Sequence, residues 1–203
     1  MNKIITISRE YGAGGHSIGQ KVASELGIPF YDKDIMKATM KATGYEKDIV
    51  EKEQEDRSVG ENILKAISSF SLNSFSDTQD AIFEIQRAVI LNLAKQGPCV
   101  ILGRCADVIL ATAGFETLNV FVHADEVHRA VRLSESDMMD TKNASEIKKM
   151  IVKKDNSRHT YYHHYTGKTW GDSHNYDLTL DSGKLGYDLC AKIIAEAARE
   201  SAE

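Results

Sequence analysis

A glycine-rich segment follows a short apolar run near the start of the chain. Residues 4–8 read Ile-Ile-Thr-Ile-Ser, and residues 9–17 read Arg-Glu-Tyr-Gly-Ala-Gly-Gly-His-Ser. This pattern predicts a strand, a phosphate-binding loop and a helix, because glycines allow positive φ and bring backbone N–H groups close to an anion. The positive end of the helix dipole adds to the attraction. We therefore expect an anionic ligand, most simply a nucleotide phosphate, at this loop.

The loop departs from the common phosphate-binding pattern G-x-x-x-x-G-K-[ST]. Gly12, Gly14 and Ser17 are interpreted as being in register with it, whereas Arg9 stands at its first glycine and Gly15 at its lysine. That lysine normally contacts the terminal phosphates, so its loss argues against a simple kinase loop. The Ser17 hydroxyl is expected to bind Mg²⁺. A glycine-rich turn without any phosphate role is the open alternative.

The composition predicts one globular domain over residues 1–203, with a sizeable core. The formal net charge of −5 argues against a nucleic-acid partner, and no apolar run is long enough to cross a membrane. Three cysteines without metal-pair spacing, and no visible secretory signal, predict a cytoplasmic protein with reduced thiols. Cys105, beside Arg104, is considered as a reactive thiolate, although a bystander thiol is the favoured interpretation. Assembly into a homo-oligomer is an open alternative at this point.

Apolar runs predict strands that alternate with helical patterns along the chain. After the first strand, the runs lie at 30–32, 98–102, 119–123 and 176–180. The alternation predicts an α/β fold with about five parallel strands and helices on both faces. A helical insert between the second and third strands is expected to form a separate lobe. The aromatic segment 161–173 is expected to be irregular.

Several charged side chains are candidates for a phosphoryl-transfer site, which needs cations around the developing charge. The candidate cations are Arg104, Arg129, Arg132 and Arg158, since a guanidinium can contact two phosphate oxygens. Arg104 follows a buried strand, where ligands bind in open α/β sheets. Arg129 and Arg132 could instead be a solvated helix face, and Asp155 with Arg158 an ordinary ion pair.

Two further groups of side chains favour structural roles. His159 and His163 have the spacing of a metal pair, but the segment supplies no convincing third ligand for zinc. Trp170 and the nearby tyrosines could stack on a base or close a lid, and a folded aromatic cluster is at least as good an explanation.

Four motifs together resemble the cytidylate kinase-like family of P-loop proteins. They are Ile7-Ser8-Arg9-Glu10-Tyr11-Gly12-Ala13-Gly14-Gly15, Phe30-Tyr31-Asp32-Lys33, Val100-Ile101-Leu102-Gly103-Arg104, and Asp155-Asn156-Ser157-Arg158 with Tyr161-Tyr162. The resemblance implies a P-loop NTPase of the nucleoside monophosphate kinase-like three-layer type. It implies a core at 1–32, 97–136 and 174–203, a helical monophosphate-binding lobe at about 33–96 and a lid at about 137–173.

The same resemblance implies roles for individual residues. ATP phosphates would be held by Gly12, Gly14, Gly15 and Ser17, and Ala13 and His16 of the same loop are included as candidates. Asp32, Arg104 and Asp155 would bind the acceptor, and Arg158 would act from the lid on the transferring phosphate. Apart from the resemblance, the need for cations in phosphoryl transfer makes Arg9, Arg129 and Arg132 candidates to act on the same phosphate. Cys105 stands where the family has an aspartate, for which Asp107 is a possible substitute, and Ile151 stands at the first arginine of the lid.

The sequence therefore predicts an ATP- and Mg²⁺-dependent kinase that phosphorylates a nucleoside monophosphate, most simply CMP or dCMP. Arg9 is predicted to supply the cation that the missing lysine would provide. Two alternatives remain open at this point. The first is a non-catalytic nucleotide-binding sensor or regulator, and the second is a kinase of another small metabolite on the same scaffold.

Overall fold

The computed structural model describes residues 3–32, 35, 78–136 and 143–200 of the chain. Most of the helical lobe predicted at about 33–96 and the first part of the lid predicted at about 137–173 lie outside these residues.

The described strands form one parallel sheet, as the alternation of apolar runs predicts. They are β1 (Ile4–Arg9), β2 (Phe30–Tyr31), β3 (Val100–Leu102), β4 (Thr117–His123) and β5 (Leu178–Asp181), in the spatial order β2-β3-β1-β4-β5. Ile7 of β1 pairs with Leu102 on one side and with Val120 on the other. The loops after these strands consequently meet at one edge of the sheet, where open α/β sheets bind ligands.

Six α-helices and one short 3₁₀ helix complete the described part of the chain. They are α1 (Gly15–Leu26), α2 (Thr78–Lys95), α3 (Ala106–Thr112), α4 (Glu126–Glu135), α5 (Ala144–Thr166), the 3₁₀ helix Ser173–Asn175 and α6 (Ser182–Glu200). Gly27 ends α1 with φ 66°, and Asp125 caps α4 by accepting a hydrogen bond from the His128 N–H. In the described residues, no helix is long and apolar enough to cross a membrane.

Two apolar layers cover the two faces of the sheet. Ile5 and Ile7 point to the layer that contains α1 and α6, whereas Ile4 and Ile101 point to the layer that contains α2 and α3. This alternation is the two-residue period of a strand that is buried on both faces. The sheet is therefore a rigid support for the loops at its carboxyl edge.

The prediction of an irregular segment at 161–173 is wrong for its first six residues, because α5 continues to Thr166. Tyr162 is buried and donates a hydrogen bond of 2.6 Å to Asp107 of α3. Tyr165 stacks on Phe83 of α2 with 3.9 Å between the ring centroids. These tyrosines face the core from one side of a helix, so tertiary packing sustains the helix through an aromatic sequence.

Candidate phosphate-binding site

The glycine loop joins β1 to α1 through two residues in left-handed conformations. Gly12 has φ 83° and Gly14, the N-cap of α1, has φ 79°. A Cβ on Gly14 would lie 2.1 Å from the Tyr187 ring, so a larger residue is excluded on both counts. The predicted strand, loop and helix are thus present, with the N-terminus of α1 at the loop.

Arg9 crosses the loop through a space that two glycines leave open. A Cβ on Gly15 would lie 2.7 Å from both Cβ and Cγ of Arg9, and a Cβ on Gly103 would lie 2.2 Å from Arg9 Nη1. The side chain therefore passes over the start of α1 and ends beside the loop that follows β3. The two departures from the common pattern, Arg9 and Gly15, are consequently in direct contact.

Three guanidinium groups influence one another at this edge of the sheet. Burial, followed by the charge of Arg158 and then that of Arg104, lowers the pKa of Arg9 to about 9, while Asp32 acts in the opposite direction. Arg158 donates a hydrogen bond of 2.8 Å to the Arg9 carbonyl, and burial lowers its pKa as well. The described residues place no carboxylate within ion-pair distance of the Arg9 or Arg104 guanidinium. Positive charge in excess of its partners favours an anionic ligand.

The turn after β3 holds three successive residues in left-handed conformations. Gly103 has φ 72°, Arg104 has φ 61° and Cys105 has φ 56°. Positive φ is uncommon in residues with a Cβ and is concentrated at functional sites. This conformation presents Arg104 at the carboxyl end of β3, beside the Arg9 side chain.

The thiol of Cys105 is buried, and burial raises its pKa to about 12. The same cause raises the pKa of Cys99 to about 12, and all three cysteines are free and buried. We expect the native protein to resist alkylation by iodoacetamide at neutral pH, because the thiolate is the reactive form. Mass spectrometry should show three modified cysteines only after unfolding in urea. Rapid labelling of Cys105 in the native protein would restore the reactive-thiolate interpretation.

Arg129 is buried and binds the backbone of the glycine loop at Tyr11. Its Nη1 donates to Asp155 at 2.5 Å and to the Tyr11 carbonyl at 3.2 Å, and its Nε lies 3.4 Å from Glu10. Asp155 also accepts a hydrogen bond of 2.7 Å from the Tyr11 N–H. The interpretation of Arg129 as part of a solvated face is therefore wrong. Asp155 links α4 and α5 to the loop, and its partner is Arg129.

Arg132, one turn further along α4, contacts the segment after β5. It donates to the Ser182 hydroxyl at 3.1 Å and to the Ser182 carbonyl at 2.7 Å, and its guanidinium lies 4.4 Å from the centre of the Tyr187 ring. Ser182 in turn donates a hydrogen bond of 2.7 Å to the Ala13 carbonyl. Arg132 is thus linked to the loop through Ser182. The interpretation of Arg132 as part of a solvated helix face is therefore also wrong.

His16, in the first turn of α1, pairs with Asp32, which follows β2. His16 Nδ1 lies 2.7 Å from Asp32 Oδ2, and the His16 side chain is 45% exposed. Counting from Gly14, the hydroxyl position of the common pattern is residue 16. His16 therefore occupies that position, and the register given to Ser17 is wrong by one residue.

The other candidate residues have structural partners. Asp107 is buried and accepts the Tyr162 hydrogen bond, and burial raises its pKa. It is therefore placed as a core residue and not as a substitute at the acceptor site. The His159 and His163 rings lie 6.4 Å apart, and the described residues contain no group of three metal-ligating side chains. Trp170 packs edge-on against Phe121, in agreement with a folded aromatic cluster.

Sequence reasoning missed Glu10, Ser182 and Tyr187 as parts of the loop's support. The segment 181–183 follows the last predicted strand, so the strand-end rule could have drawn attention to Ser182. No local signal identifies Tyr187, because its contact with Gly14 depends on how α6 packs against α1.

The fold and the loop define a P-loop protein of the nucleoside monophosphate kinase-like type. The chain belongs to the cytidylate kinase-like family, whose model matches residues 4–184. An uncharacterized protein from Eubacterium ventriosum has a similar crystal structure, with 26% identity, a TM-score of 0.69 and coverage of 97% of this chain and 98% of that chain.

Shikimate kinases share the fold at lower identity. The enzyme from Bacteroides thetaiotaomicron is 14% identical, with a TM-score of 0.56 over 99% of this chain and 98% of that chain. The Acinetobacter baumannii enzyme in complex with shikimate is 15% identical, with a TM-score of 0.51 over 100% of this chain and 97% of that chain. No curated protein matches the chain.

Proposed function

We propose that the protein transfers the γ-phosphoryl group of ATP to a small acceptor, with CMP and dCMP as the first candidates. The observation that carries this proposal is the group of guanidiniums from Arg9, Arg104 and Arg158 at the loop, none of which has a carboxylate within ion-pair distance among the described residues. Phosphoryl transfer depends on positioning and on cations around the transferring group. Family membership supports the same class of reaction.

Each residue has an expected task in this proposal. The backbone of Gly12–Ser17 and the start of α1 bind the donor phosphates. Arg9 supplies the charge of the missing lysine, and Arg158, which donates a hydrogen bond to the Arg9 carbonyl, supplies a second cation. Arg104 binds the acceptor, with Asp32 as a second acceptor contact. A divalent cation, when bound with ATP, would neutralise phosphate charge.

Arg129, Arg132 and Asp155 are assigned supporting tasks, in contrast to the direct contacts that the sequence suggests. Arg129 and Asp155 satisfy each other's charge and bind the Tyr11 backbone. Arg132 binds Ser182, which binds the Ala13 carbonyl. These contacts support the proposal that the three residues hold the loop in a phosphate-binding conformation.

The test is a phosphoryl-transfer assay with ATP and Mg²⁺ against a panel of nucleoside monophosphates and hydroxylated metabolites. We expect product with CMP or dCMP, and the Arg104→Ala variant should raise the KM of the acceptor by about tenfold because a charge-assisted contact is lost. An Arg199→Ala variant, which changes an exposed arginine on α6, is the matched control. A raised acceptor KM in Arg104→Ala, with the KM unchanged in Arg199→Ala, also excludes a contaminating kinase.

One observation favours each alternative. Gly15 in place of the lysine favours a nucleotide-binding sensor, which would bind ATP in calorimetry and give no product with any acceptor. Cys105 in place of the acceptor-site aspartate favours a kinase of another metabolite, since Asp107 is bonded to Tyr162. Product from a different member of the panel would select that second alternative.

A further inference from the structure

His16 stands where phosphate-binding loops have the hydroxyl that contacts the nucleotide's metal ion. That hydroxyl belongs to serine or threonine in the common pattern, immediately after the lysine. Here residue 15 is glycine and residue 16 is histidine. An imidazole nitrogen therefore replaces a hydroxyl oxygen at the start of α1.

The surroundings of His16 fix the orientation of its ring. Nδ1 lies 2.7 Å from Asp32 Oδ2, and the ring packs edge-on against Phe30 with 5.2 Å between the ring centroids. Because an ionised carboxylate only accepts hydrogen bonds, Nδ1 must carry the proton of this contact. A neutral imidazole that donates from Nδ1 has its lone pair on Nε2. In this neutral tautomer, the exposed His16 side chain has a nitrogen lone pair at the loop.

This arrangement is the one that metal-ligating histidines adopt. Such residues usually donate their second ring nitrogen to a carboxylate, which fixes the tautomer and strengthens the ligand. The described residues contain no cluster of three ligating side chains, and a nucleotide-bound cation does not need one, because phosphates and waters fill most of its coordination shell. One nitrogen ligand and its carboxylate partner therefore fit the chemistry of such a cation.

We propose that His16 Nε2, oriented by Asp32, is a protein ligand of the divalent cation that accompanies the bound nucleotide. The inference rests on the proposed function only in requiring that the loop binds a nucleotide. Mn²⁺ and Mg²⁺ both prefer oxygen ligands, but Mn²⁺, as a first-row transition metal, accepts an imidazole nitrogen more readily than Mg²⁺ does. The site should consequently favour Mn²⁺ over Mg²⁺ more strongly than a loop with a hydroxyl at residue 16 would.

The direct test is electron spin echo envelope modulation of Mn²⁺ bound to the protein with a non-hydrolysable ATP analogue. We expect modulation from a directly coordinated ¹⁴N in the wild-type protein, replaced by a ¹⁵N signal when histidine alone is labelled. His16→Ser, which restores the hydroxyl of the pattern, should remove the nitrogen signal. Ser17→Ala, one residue away, is the matched control and should retain it.

Calorimetry of the same complexes separates this inference from the proposed function. The ratio of nucleotide affinity with Mn²⁺ to that with Mg²⁺ should fall at least ~10-fold in His16→Ser, and Asp32→Asn should weaken Mn²⁺ binding by ~10-fold while the nitrogen signal remains. Nucleotide binding without a nitrogen signal in the wild type, or a signal that survives in His16→Ser, would overturn the ligand role alone. Failure of the analogue to bind would overturn both proposals.

Discussion

The double variant Arg9→Gly with Gly15→Lys is expected to bind ATP, although each of the two single variants binds it poorly. The exchange places glycine and lysine where the common phosphate-binding pattern has them. Arg9 and Gly15 touch in the structure, with only 2.7 Å between Arg9 Cβ and a Cβ on residue 15. The two positions must therefore change together.

The single variants should fail for different reasons. Arg9→Gly or Arg9→Ala removes the cation and should lower ATP affinity or turnover by at least ~10-fold, as expected for a lost charge-assisted contact. Gly15→Lys should lower ATP affinity by roughly 100-fold, because its Cβ meets Arg9 at a distance that atoms do not tolerate and its charge joins three arginines. Only the double variant removes the collision between residues 9 and 15 and also keeps a cation at one of these two positions.

Isothermal titration with a non-hydrolysable ATP analogue measures the four affinities, and the coupling between the two changes follows from the double-mutant cycle. The combination Arg9→Gly with Gly15→Ala is the matched control, since it relieves the collision and supplies no cation. It should bind as weakly as Arg9→Gly. If Arg9→Ala retains the wild-type affinity and turnover, Arg9 has no part in the mechanism.

The parts of the fold that the sequence predicts are those that local patterns encode. The five strands are visible as apolar runs, because strands buried on both faces require them. The end of α1 is visible in Gly27, and the cap of α4 in Asp125. The order of the strands in the sheet is not visible, since pairing joins segments as distant as Ile5 and Val100.

The candidate site divides in the same way. The loop glycines and the cations are predictable, because their residue types and positions relative to strands carry the signal. The partners of those cations are not, because Arg129 meets Asp155 through the packing of α4 on α5. Spacing alone suggested that Asp155 would pair with Arg158, one turn away on the same helix. Asp155 pairs with Arg129 because Arg129 is buried, and a buried guanidinium requires a nearby carboxylate.

Asp155→Ala is expected to lower the free energy of unfolding by about 3 kcal/mol, the cost of leaving one member of a buried ion pair without its partner. The Arg129 side chain is only 10% exposed, and it would keep Glu10 at 3.4 Å from its Nε and the Tyr11 carbonyl as an acceptor, so the cost lies at the lower end of the range for broken buried pairs. The Tyr11 N–H would also lose its acceptor, which adds to the loss. Because Tyr11 lies in the loop, ATP affinity should fall with stability.

Urea unfolding followed by circular dichroism measures this change, with Asp188→Ala as the matched control. Asp188 pairs with Lys21 at 2.8 Å, but its side chain is 80% exposed. Exposed pairs contribute little to stability, so the control should unfold at the wild-type urea concentration. An Asp155→Ala protein of wild-type stability that has lost only acceptor binding would contradict the anchoring role. That result would support instead the direct acceptor contact that the family resemblance implies. The two roles of Asp155 differ in one respect: in the anchoring role, its carboxylate is bound to Arg129 even when no ligand is present.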